Sequence, residues 1–436
     1  MKKILFIALA VVLALSVGLI GCEGEPTPVI KIGHVSSIEG MYAGFGAGAL
    51  FGIEAAIEDI NDAGGVDVAG ENYELELYLQ ESTSDETLVT ARTEYLIDTN
   101  GVHGIVGAFI PPPMAAPQVP VCEIAQVPLL QTPGPYEPWT AMTAAFNKTY
   151  TFTTTFRIFT PTDPPQLGYL ISDIGLEFHE AVGVNSTSHV VGVFASDDGD
   201  GIGWYELMGQ ILDDEGYTTS TWQVEPSYGV GLFSMETPDY APIIADWVAD
   251  NVTAIWGNCP PPHFIDLYNA ALLADLELEV IFAARAGLFY TDMVGLGANA
   301  VGIGLENWWH NAYDPAYCPG VGSTTPQTLF DDWVTAKSQP LNPNIGWGYA
   351  NVQILVQAIE AADSLVGDDI RAALLAGDFD TIAGPVDYGA ADQNCPVPLH
   401  YFQWFEDETM TIVPKVVVSQ HTFLDTTGTA FLITYP

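Results

Sequence analysis

The sequence predicts an α/β protein built from two doubly wound, Rossmann-like lobes. Apolar segments typical of buried strands alternate with segments whose apolar residues recur at helical spacing, which predicts mostly parallel sheets with right-handed crossovers. The alternation starts near residue 30, stops at the polar, threonine-rich segment 149–155, and starts again near residue 190. Two successive series of strands and helices therefore indicate two similar lobes.

Residues 30–66 form the first strand–loop–helix unit. Three apolar residues predict its strand: Ile30, Ile32 and Val35. A Gly-rich loop follows, and four residues at helical spacing then predict one apolar helix face: Leu50, Ile53, Ile57 and Ile60. Gly64 and Gly65 end this helix. Ligands of such sheets bind where loops leave the carboxyl ends of strands, so the loop is a candidate binding segment.

The other elements follow from the same patterns. The remaining strands of the first lobe are predicted at 73–80, 102–106 and 127–130. The strands of the second lobe are predicted at 190–194, 254–256 and 279–282. Thr83 and Glu86 have the spacing of a capping box, which predicts a helix start after the strand at 73–80. A helix from about 203 to 215 follows the acidic loop 197–201.

The first 28 residues predict an export signal and a tether. A short basic start precedes the apolar segment 4–20, and the sequence Leu-Ile-Gly-Cys ending at Cys22 has the pattern of a bacterial lipobox. We therefore expect residues 1–21 to be a lipoprotein signal peptide, residues 22–28 a tether, and Cys22 a lipid anchor to a membrane. The alternatives are an uncleaved anchor, or an ordinary signal in which Cys22 is incidental.

The charge of the chain bears on its partners. Ten Lys and Arg residues stand against 55 Asp and Glu residues, for a net charge of −45. A phosphate backbone is bound by a basic surface, so no nucleic-acid partner is expected. The acidity is explained by a solvated surface suited to high salt, or by attraction of cationic ligands. Composition does not separate these two explanations.

Four cysteines remain besides Cys22: Cys122, Cys259, Cys318 and Cys395. An exported protein permits disulfides, and four cysteines allow three connectivities. A bond between Cys318 and Cys395 is the preferred hypothesis, because both lie in loop-like segments that contain Pro and Gly. The spacing does not resemble a zinc site, and neither a metal nor a cofactor is predicted.

The opening unit also resembles the start of the mature branched-chain amino-acid-binding proteins, the solute receptors of ABC importers. Its helix end, IEDINDAGG at residues 57–65, is similar to the family's EINAAGG-type sequence. Further similar segments are residues 105–107, 127–130, 191–194, 349–353 and 383–386. The resemblance covers residues 30–414, and it rests on the order and spacing of these segments rather than on one motif.

This resemblance implies the type I periplasmic-binding fold, with two lobes joined by a three-segment hinge. Lobe 1 would comprise residues 29–155 and 310–390, and lobe 2 residues 156–309 and 391–436. The three crossings are expected near Thr155, Trp308 and Ala390.

The resemblance also places two loops of lobe 1 at the ligand. Phe45 takes the position of an aromatic residue that covers the apolar part of the ligand, although it could equally be the first buried residue of the helix. The second loop, at 108–113, contains Ile110 as a candidate contact and Pro111 where serines usually hold an α-carboxylate. Because proline has neither a hydroxyl nor an N–H group, standard α-carboxylate binding is not expected.

A third loop of lobe 1 follows the strand at 127–130. Thr132 and Gly134 are its candidate contacts, and Gly134 keeps the backbone N–H group that the family uses. Tyr136 stands where a small hydroxyl residue is common in the family.

Lobe 2 contributes two charged candidates. Asp200 falls where the family often has Tyr, and Arg285 falls where the family has the acid that binds a ligand ammonium. An arginine fork suits a carboxylate, so a small organic acid or amide-type ligand is expected rather than leucine. The alternative is that Arg285 pairs with Asp200 or another acid, and both roles can coexist. Asp200 could instead meet a cationic group on the ligand.

Two further residues complete the candidate site. Cys259 falls in a lobe 2 loop that faces the cleft, where a free buried thiol is expected. Trp308 lies at the second crossing, and its ring is expected to line the cleft unless it packs into the core.

The function implied is that of an extracytoplasmic, monomeric solute-binding lipoprotein, which closes on a small molecule and presents it to an ABC permease. A sensory receptor of the same fold that feeds a membrane signalling partner remains an alternative, as does an exported enzyme. The sequence contains no G-x-S-x-G, H-E-x-x-H or P-loop motif, so no enzymatic activity is predicted.

Overall fold

Two sheets organise the protein, each covered by helices. The computed structural model describes residues 27–158, 170–223, 229–389, 393–397, 399–419 and 424–435. The predicted signal peptide, Cys22 and the predicted crossing at Ala390 lie outside these ranges. Among the described helices, none is both long enough and apolar enough to cross a membrane.

The first sheet has seven described strands. In sheet order they are β15 (Asn394–Pro396), β6 (Thr151–Thr155), β5 (Leu129–Thr132), β4 (Gly104–Phe109), β1 (Val29–Ser36), β3 (Glu71–Glu81) and β2 (Val66–Val68). All neighbours are parallel except β2 and β3, which form an antiparallel pair.

The helices that follow these strands are α1 (Ala43–Asp62), α2 (Glu86–Tyr95), α3 (Pro112–Ala115), α4 (Val119–Ala125) and α5 (Tyr136–Thr143). Helices α11 (Pro326–Lys337), α12 (Asn344–Ala362) and α13 (Gly367–Ala376) pack on the same lobe. A small hairpin of β13 (Asp378–Thr381) and β14 (Gly384–Asp387) follows them.

The second sheet has eight described strands. In sheet order they are β17 (Thr411–Ser419), β16 (His400–Asp407), β12 (Ile303–Asn307), β11 (Val280–Ala284), β10 (Ala254–Asn258), β7 (Val190–Ser196) and β8 (Thr218–Ser220), with β9 (Leu232–Phe233) beside β7. Its helices are α6 (Ile171–Val182), α7 (Gly199–Asp214), α8 (Ala241–Asp250), α9 (Pro261–Leu273) and α10 (Tyr290–Met293). Strands β16 and β17 add an antiparallel edge to a parallel centre.

The predicted fold class of two α/β lobes with parallel sheets is confirmed. One local prediction is wrong: α2 is capped by Asp85 and not by Thr83. The Asp85 carboxylate accepts a hydrogen bond from the backbone N–H of Thr87 at 2.9 Å. Thr83 lies before the helix with a left-handed φ of 53°, so it cannot serve as an extended N-cap.

The third crossing lies later than predicted. Strand β15 at Asn394–Pro396 pairs with β6 of the first sheet, and the chain reaches the second sheet only at β16. Residues 394–396 therefore belong to lobe 1. The predicted division, which gave residues 391–436 to lobe 2, is wrong for this strand. The physical reason is that backbone pairing with the edge strand β6 carries the chain back to lobe 1 before it crosses.

The predicted disulfide between Cys318 and Cys395 is wrong. All four cysteines in the described ranges are free and buried: Cys122, Cys259, Cys318 and Cys395. Cys395 lies in β15 opposite Thr154, whereas Cys318 precedes Pro319, whose carbonyl accepts a hydrogen bond from Gln353 of α12. The two thiols therefore pack against different elements. Burial also raises the pKa of Cys318 to about 12 and that of Cys395 to about 11, which disfavours the reactive thiolate.

Helices α1 and α12 pack against each other through glycines. A Cβ atom on Gly52 would lie 2.0 Å from the carbonyl oxygen of Ile345 and 2.8 Å from the amide nitrogen of Tyr349. Both atoms belong to the backbone, so neither can move like the end of a flexible side chain.

We expect Gly52→Ala to lower the free energy of unfolding by about 1–3 kcal/mol, because the methyl group overpacks the contact between α1 and α12. Urea denaturation measures this loss. Gly295→Ala is the matched control, because no atom lies within 4 Å of the added Cβ. Equal stability of the two variants would contradict the close packing of the two helices.

Candidate functional site

Side chains from both lobes enclose one cavity, which we call the inner cavity. Its lining consists of Phe45, Phe109, Ile110, Pro111, Gly134, Pro135, Phe156, Asp200, Trp204, Asn258, Arg285, Leu288, Glu306 and Trp308. The cavity volume is about 20 Å³, within an empty space of about 270 Å³ between the lining atoms. This volume holds about one water molecule, so the two lobes lie close together.

The carboxyl ends of parallel strands supply most of this lining. Phe109 ends β4 and Asn258 ends β10, while Glu306 lies one residue before the end of β12. Asp200 and Arg285 lie just beyond the ends of β7 and β11. Loops that leave these ends must turn toward the cleft, which is where α/β sheets bind ligands.

Among the described residues that line the inner cavity, Arg285 is the only cation, and it is 3% exposed. Its Nη2 donates to Asp198 Oδ2 at 2.9 Å and to Ser196 Oγ at 2.8 Å, and its Nη1 donates to Asp198 Oδ1 at 3.2 Å. Nη1 also lies 3.3 Å from Asp200 Oδ2 and 3.5 Å from the Tyr42 hydroxyl. Of the guanidinium nitrogens, Nε alone has no partner among the described residues.

Asp198 joins this ion pair to the start of α7. Its Oδ1 caps the helix by accepting from the backbone N–H groups of Asp200 at 3.0 Å and Gly201 at 3.1 Å, while its Oδ2 accepts from the Ser196 hydroxyl at 2.6 Å. Burial raises the pKa of Asp198, but the charge and hydrogen bonds of Arg285 and the bond from Ser196 lower it further, to below its ordinary value. The bidentate pair of Asp198 and Arg285 is therefore ionised.

Two other carboxyls of the cavity titrate differently. Burial raises the pKa of Asp200 to about 7 despite the opposing charge of Arg285. Burial also raises the pKa of Glu306 to about 8. Trp204 Nε1 donates to Asp200 at 3.1 Å, and the Arg285 backbone N–H lies 3.4 Å from Glu306 Oε1. Neither carboxyl has a full cationic partner of its own.

An aromatic wall lines the apolar side of the cavity. Phe109 and Trp308 stack with ring centroids 3.7 Å apart, and Phe156 stacks on Phe109 at 5.7 Å. Phe45 of lobe 1 meets Phe289 of lobe 2 edge-on at 4.6 Å. The lobes therefore touch through aromatic rings at the rim of the cavity.

Several buried polar atoms of the lining have no hydrogen bond of good geometry among the described residues. They are Glu306 Oε2, Asn258 Oδ1 and Nδ2, Arg285 Nε and Trp308 Nε1. Buried polar groups are nearly always paired, so an unpaired group that faces a cavity suggests a missing partner.

Most of the candidate residues predicted from the sequence meet at this cavity. Those that line it are Phe45, Ile110, Gly134, Asp200, Arg285 and Trp308. The predicted pairing of Arg285 with Asp200 is present, and Asp198 is the closer partner.

Three predicted residues do not line the cavity. The Thr132 hydroxyl is buried against that of Thr154 at 2.8 Å, and the Tyr136 ring lies under the guanidinium of Arg157 at 4.0 Å. Cys259 is a free buried thiol, as expected, and burial raises its pKa. Thr132 and Tyr136 therefore have partners outside the cavity lining, and Cys259 is buried.

The sequence reasoning missed Asn258, Glu306 and Asp198. Asn258 directly precedes Cys259, so that assignment was off by one residue. An acid inside the apolar strand β12 was a usable signal for Glu306, because a carboxyl in such a strand must be buried or must face a site. Asp198 lies in the predicted acidic loop 197–201, two residues before the predicted contact Asp200.

Replacement of Arg285 tests whether the ion pair holds the cavity together. We expect Arg285→Ala to lower the free energy of unfolding by about 3–5 kcal/mol, because Asp198 is left buried and uncompensated. Chemical denaturation at neutral pH measures the loss. The control is Arg371→Ala, whose 3.9 Å pair with the exposed Asp368 contributes about 1 kcal/mol or less. Equal small losses in both variants would refute a structural role for the pair.

Comparison with known proteins places this cavity in a known architecture. Residues 29–409 match the family described as periplasmic binding protein. The fold is similar to that of a leucine-binding protein from Thermotoga maritima, at 17% identity and a TM-score of 0.70, covering 90% of this chain and 99% of that chain.

Two other solved structures also have a similar fold. One is the branched-chain amino acid transporter substrate-binding protein of Streptococcus pneumoniae in complex with isoleucine, at 16% identity and a TM-score of 0.66, covering 89% of this chain and 99% of that chain. The other is an ABC transporter solute-binding protein of R. palustris in complex with 4-hydroxybenzoate, at 17% identity and a TM-score of 0.67, covering 91% and 98%. The chain belongs to the periplasmic binding protein family.

Proposed function

We propose that the chain binds a small organic molecule in the inner cavity and delivers it to the permease of an ABC importer. The observation that supports this most is the composition of the lining. Phe45 and Gly134 come from lobe 1, whereas Asp200, Arg285 and Glu306 come from lobe 2. A ligand held by both lobes gains contacts only when they approach, so binding favours the closed arrangement.

Contacts across the cleft support closure as the working motion. Phe45 meets Phe289, and the Tyr42 hydroxyl lies 3.5 Å from Arg285 Nη1. Since the cavity holds about 20 Å³, an organic ligand enters only after the lobes separate. The proposed ligand contacts are Phe45, Ile110, Gly134, Asp200, Arg285 and Trp308.

We propose that the protein is extracytoplasmic, as its family implies, and that a lipid anchors it to the membrane. Residues 1–21 would be removed as a signal peptide, and Cys22 would carry the lipid that holds the protein at the membrane, as a monomer beside its permease. The strand β1 begins at Val29, so residues 22–28 would leave the lobes tethered a short distance from the bilayer.

Ligand binding and closure are tested together. We screen the purified protein by thermal shift against amino acids, organic acids, amides and amines, since a ligand at 100 times its Kd adds about 2.7 kcal/mol of stability. Small-angle scattering with a hit should show a smaller radius of gyration. Phe45→Ala should weaken binding about tenfold or more, whereas Phe51→Ala, whose ring packs on Trp333 away from the cavity, should not. Turnover of the hit, or binding without compaction, would contradict the proposal.

The anchor is tested in cells. We expect the wild-type chain to sediment with membranes and to incorporate radiolabelled palmitate. Cys22→Ser should appear in the soluble exported fraction without label, because the acylated thiol is lost. Cys259→Ser, which changes a buried thiol of lobe 2, is the control and should keep both properties. Unchanged membrane attachment of Cys22→Ser would contradict the lipoprotein assignment.

A further inference from the structure

The charges of the inner cavity do not balance. Asp198, Asp200 and Glu306 are at or next to the cavity, and Arg285 is the only cation among them. Asp198 takes both guanidinium Nη atoms of Arg285, which satisfies that carboxylate. Asp200 and Glu306 are each 2% exposed, and the only cation near them in the described ranges is Arg285, whose charge is already paired with Asp198. Burial therefore keeps both carboxyls partly protonated, and among the described residues no further cation lines the cavity to stabilise their ionised forms.

The unpaired atoms of the lining are three donors and two acceptors. The donors are Arg285 Nε, Asn258 Nδ2 and Trp308 Nε1, and a water or a hydroxyl group can satisfy them. The acceptors indicate what the ligand must donate. Glu306 Oε2 and Asn258 Oδ1 are hydrogen-bond acceptors, both are buried, and neither has a donor among the described residues. Both residues line the cavity. A ligand that supplies N–H groups would satisfy these acceptors, and a positively charged one would also neutralise Glu306.

The aromatic residues of the lining indicate that the uncharged part of the ligand is apolar. Phe45, Phe109 and Trp308 present aromatic surface to the cavity. Apolar groups pack against such rings, and a cation is attracted to their faces. Pro111 lies in the same lining and has no N–H group to offer a carboxylate.

A second cavity, which we call the outer cavity, lies on the other side of the pair formed by Asp198 and Arg285, and its lining is also acidic. It has a volume of about 600 Å³, and its charged lining residues are all acids: Glu86, Asp197, Asp198 and Glu236. Asp198 lies between the two cavities: it lines the outer cavity, and it binds Arg285, which lines the inner cavity. These acids attract a cation that approaches this face of the protein and repel an anion.

We propose that the ligand is an organic ammonium ion with an apolar body and no carboxylate, whose N–H groups bind Glu306, Asn258 and Asp200. This inference rests on the proposed function and names its ligand class. It replaces the expectation of an acidic ligand held by Arg285, because Asp198 already occupies that guanidinium. The net charge of −45 would add long-range attraction for such a ligand.

Matched probes separate the charge of the ligand from its shape. Isothermal titration of the purified protein uses 3-methylbutylamine, 4-methylpentanoate and leucine, which share one branched body and differ in their ionic groups. Benzylamine and benzoate form an aromatic pair. At least one of the two amines should bind with one-to-one stoichiometry, and about tenfold or more tighter than its carboxylate counterpart.

The outcomes distinguish this inference from the function on which it rests. Binding of leucine or a carboxylate with compaction, and no binding of either amine, would overturn the ammonium ligand and leave solute binding intact. Binding of an amine without compaction would support the ligand class and contradict closure. Failure of both amines to bind at millimolar concentration would also overturn the inference.

Substitution of Glu306 tests the contact itself. Glu306→Gln keeps the shape of the side chain and removes its charge, so affinity for the bound amine should fall about 10- to 100-fold, as expected for a hydrogen bond to a charged group. Glu58→Gln makes the same change on the exposed face of α1 and should leave the affinity unchanged. Equal affinities of the two variants would overturn the contact.

The pH dependence of binding provides a readout that a purely structural role would not change. The charged and titratable groups near Asp200 are Asp198 and Arg285, and those near Glu306 are Arg285, Asp200 and Tyr401. Burial raises the pKa values of Asp200 and Glu306 well above their ordinary range. An ammonium ion prefers the ionised carboxylates, so its affinity should rise on the order of tenfold from about pH 6 to about pH 8.5. In Glu306→Gln this rise should be smaller, and a flat wild-type profile would contradict the assignment.

Discussion

The bidentate ion pair between Arg285 and Asp198 is the interaction on which the cleft depends. Asp198 caps α7, so the pair fixes the start of that helix against the end of β11. Arg285 reaches this position with a left-handed backbone, at a φ of 61° that non-glycine residues seldom adopt. The same guanidinium lies 3.5 Å from the Tyr42 hydroxyl of lobe 1, so one buried group connects helix, strand and opposite lobe.

The ion pair also determines the chemistry left for a ligand. Because Asp198 takes both Nη atoms, Arg285 is no longer an open carboxylate fork, and the acids around it outnumber the cation. Burial then raises the pKa of Glu306 to about 8 and that of Asp200 to about 7, so near neutral pH Asp200 is about half ionised and Glu306 is mostly protonated. A site of this kind responds to a bound positive charge by releasing protons. The structural pairing in the cleft and the proposed preference for a cationic ligand thus follow from one arrangement.

Individual residues show how far the sequence could predict the site. Phe45, Asp200 and Arg285 were found because strand ends and loops can be read from periodicity and from the family resemblance. Glu306 was not predicted because its strand reads as apolar. Asn258 was not predicted because a register error of one residue selected its buried neighbour Cys259. Cys318 and Cys395 were paired on loop composition alone, and that criterion contains no information on which loops are neighbours. Strand β15 was assigned to the wrong lobe because three residues carry little periodic signal.

The sequence by itself determined the α/β class, the two lobes, the order of most strands and the acidic character of the protein. These properties depend on local spacing and on composition, which are present in the chain before it folds. Tertiary structure decided which acid binds Arg285, which polar atoms remain without partners and where the third crossing lies. Those outcomes depend on distances between residues that are remote in sequence, such as Tyr42 and Arg285 or Asp198 and Arg285. Only the packing of the two lobes sets such distances.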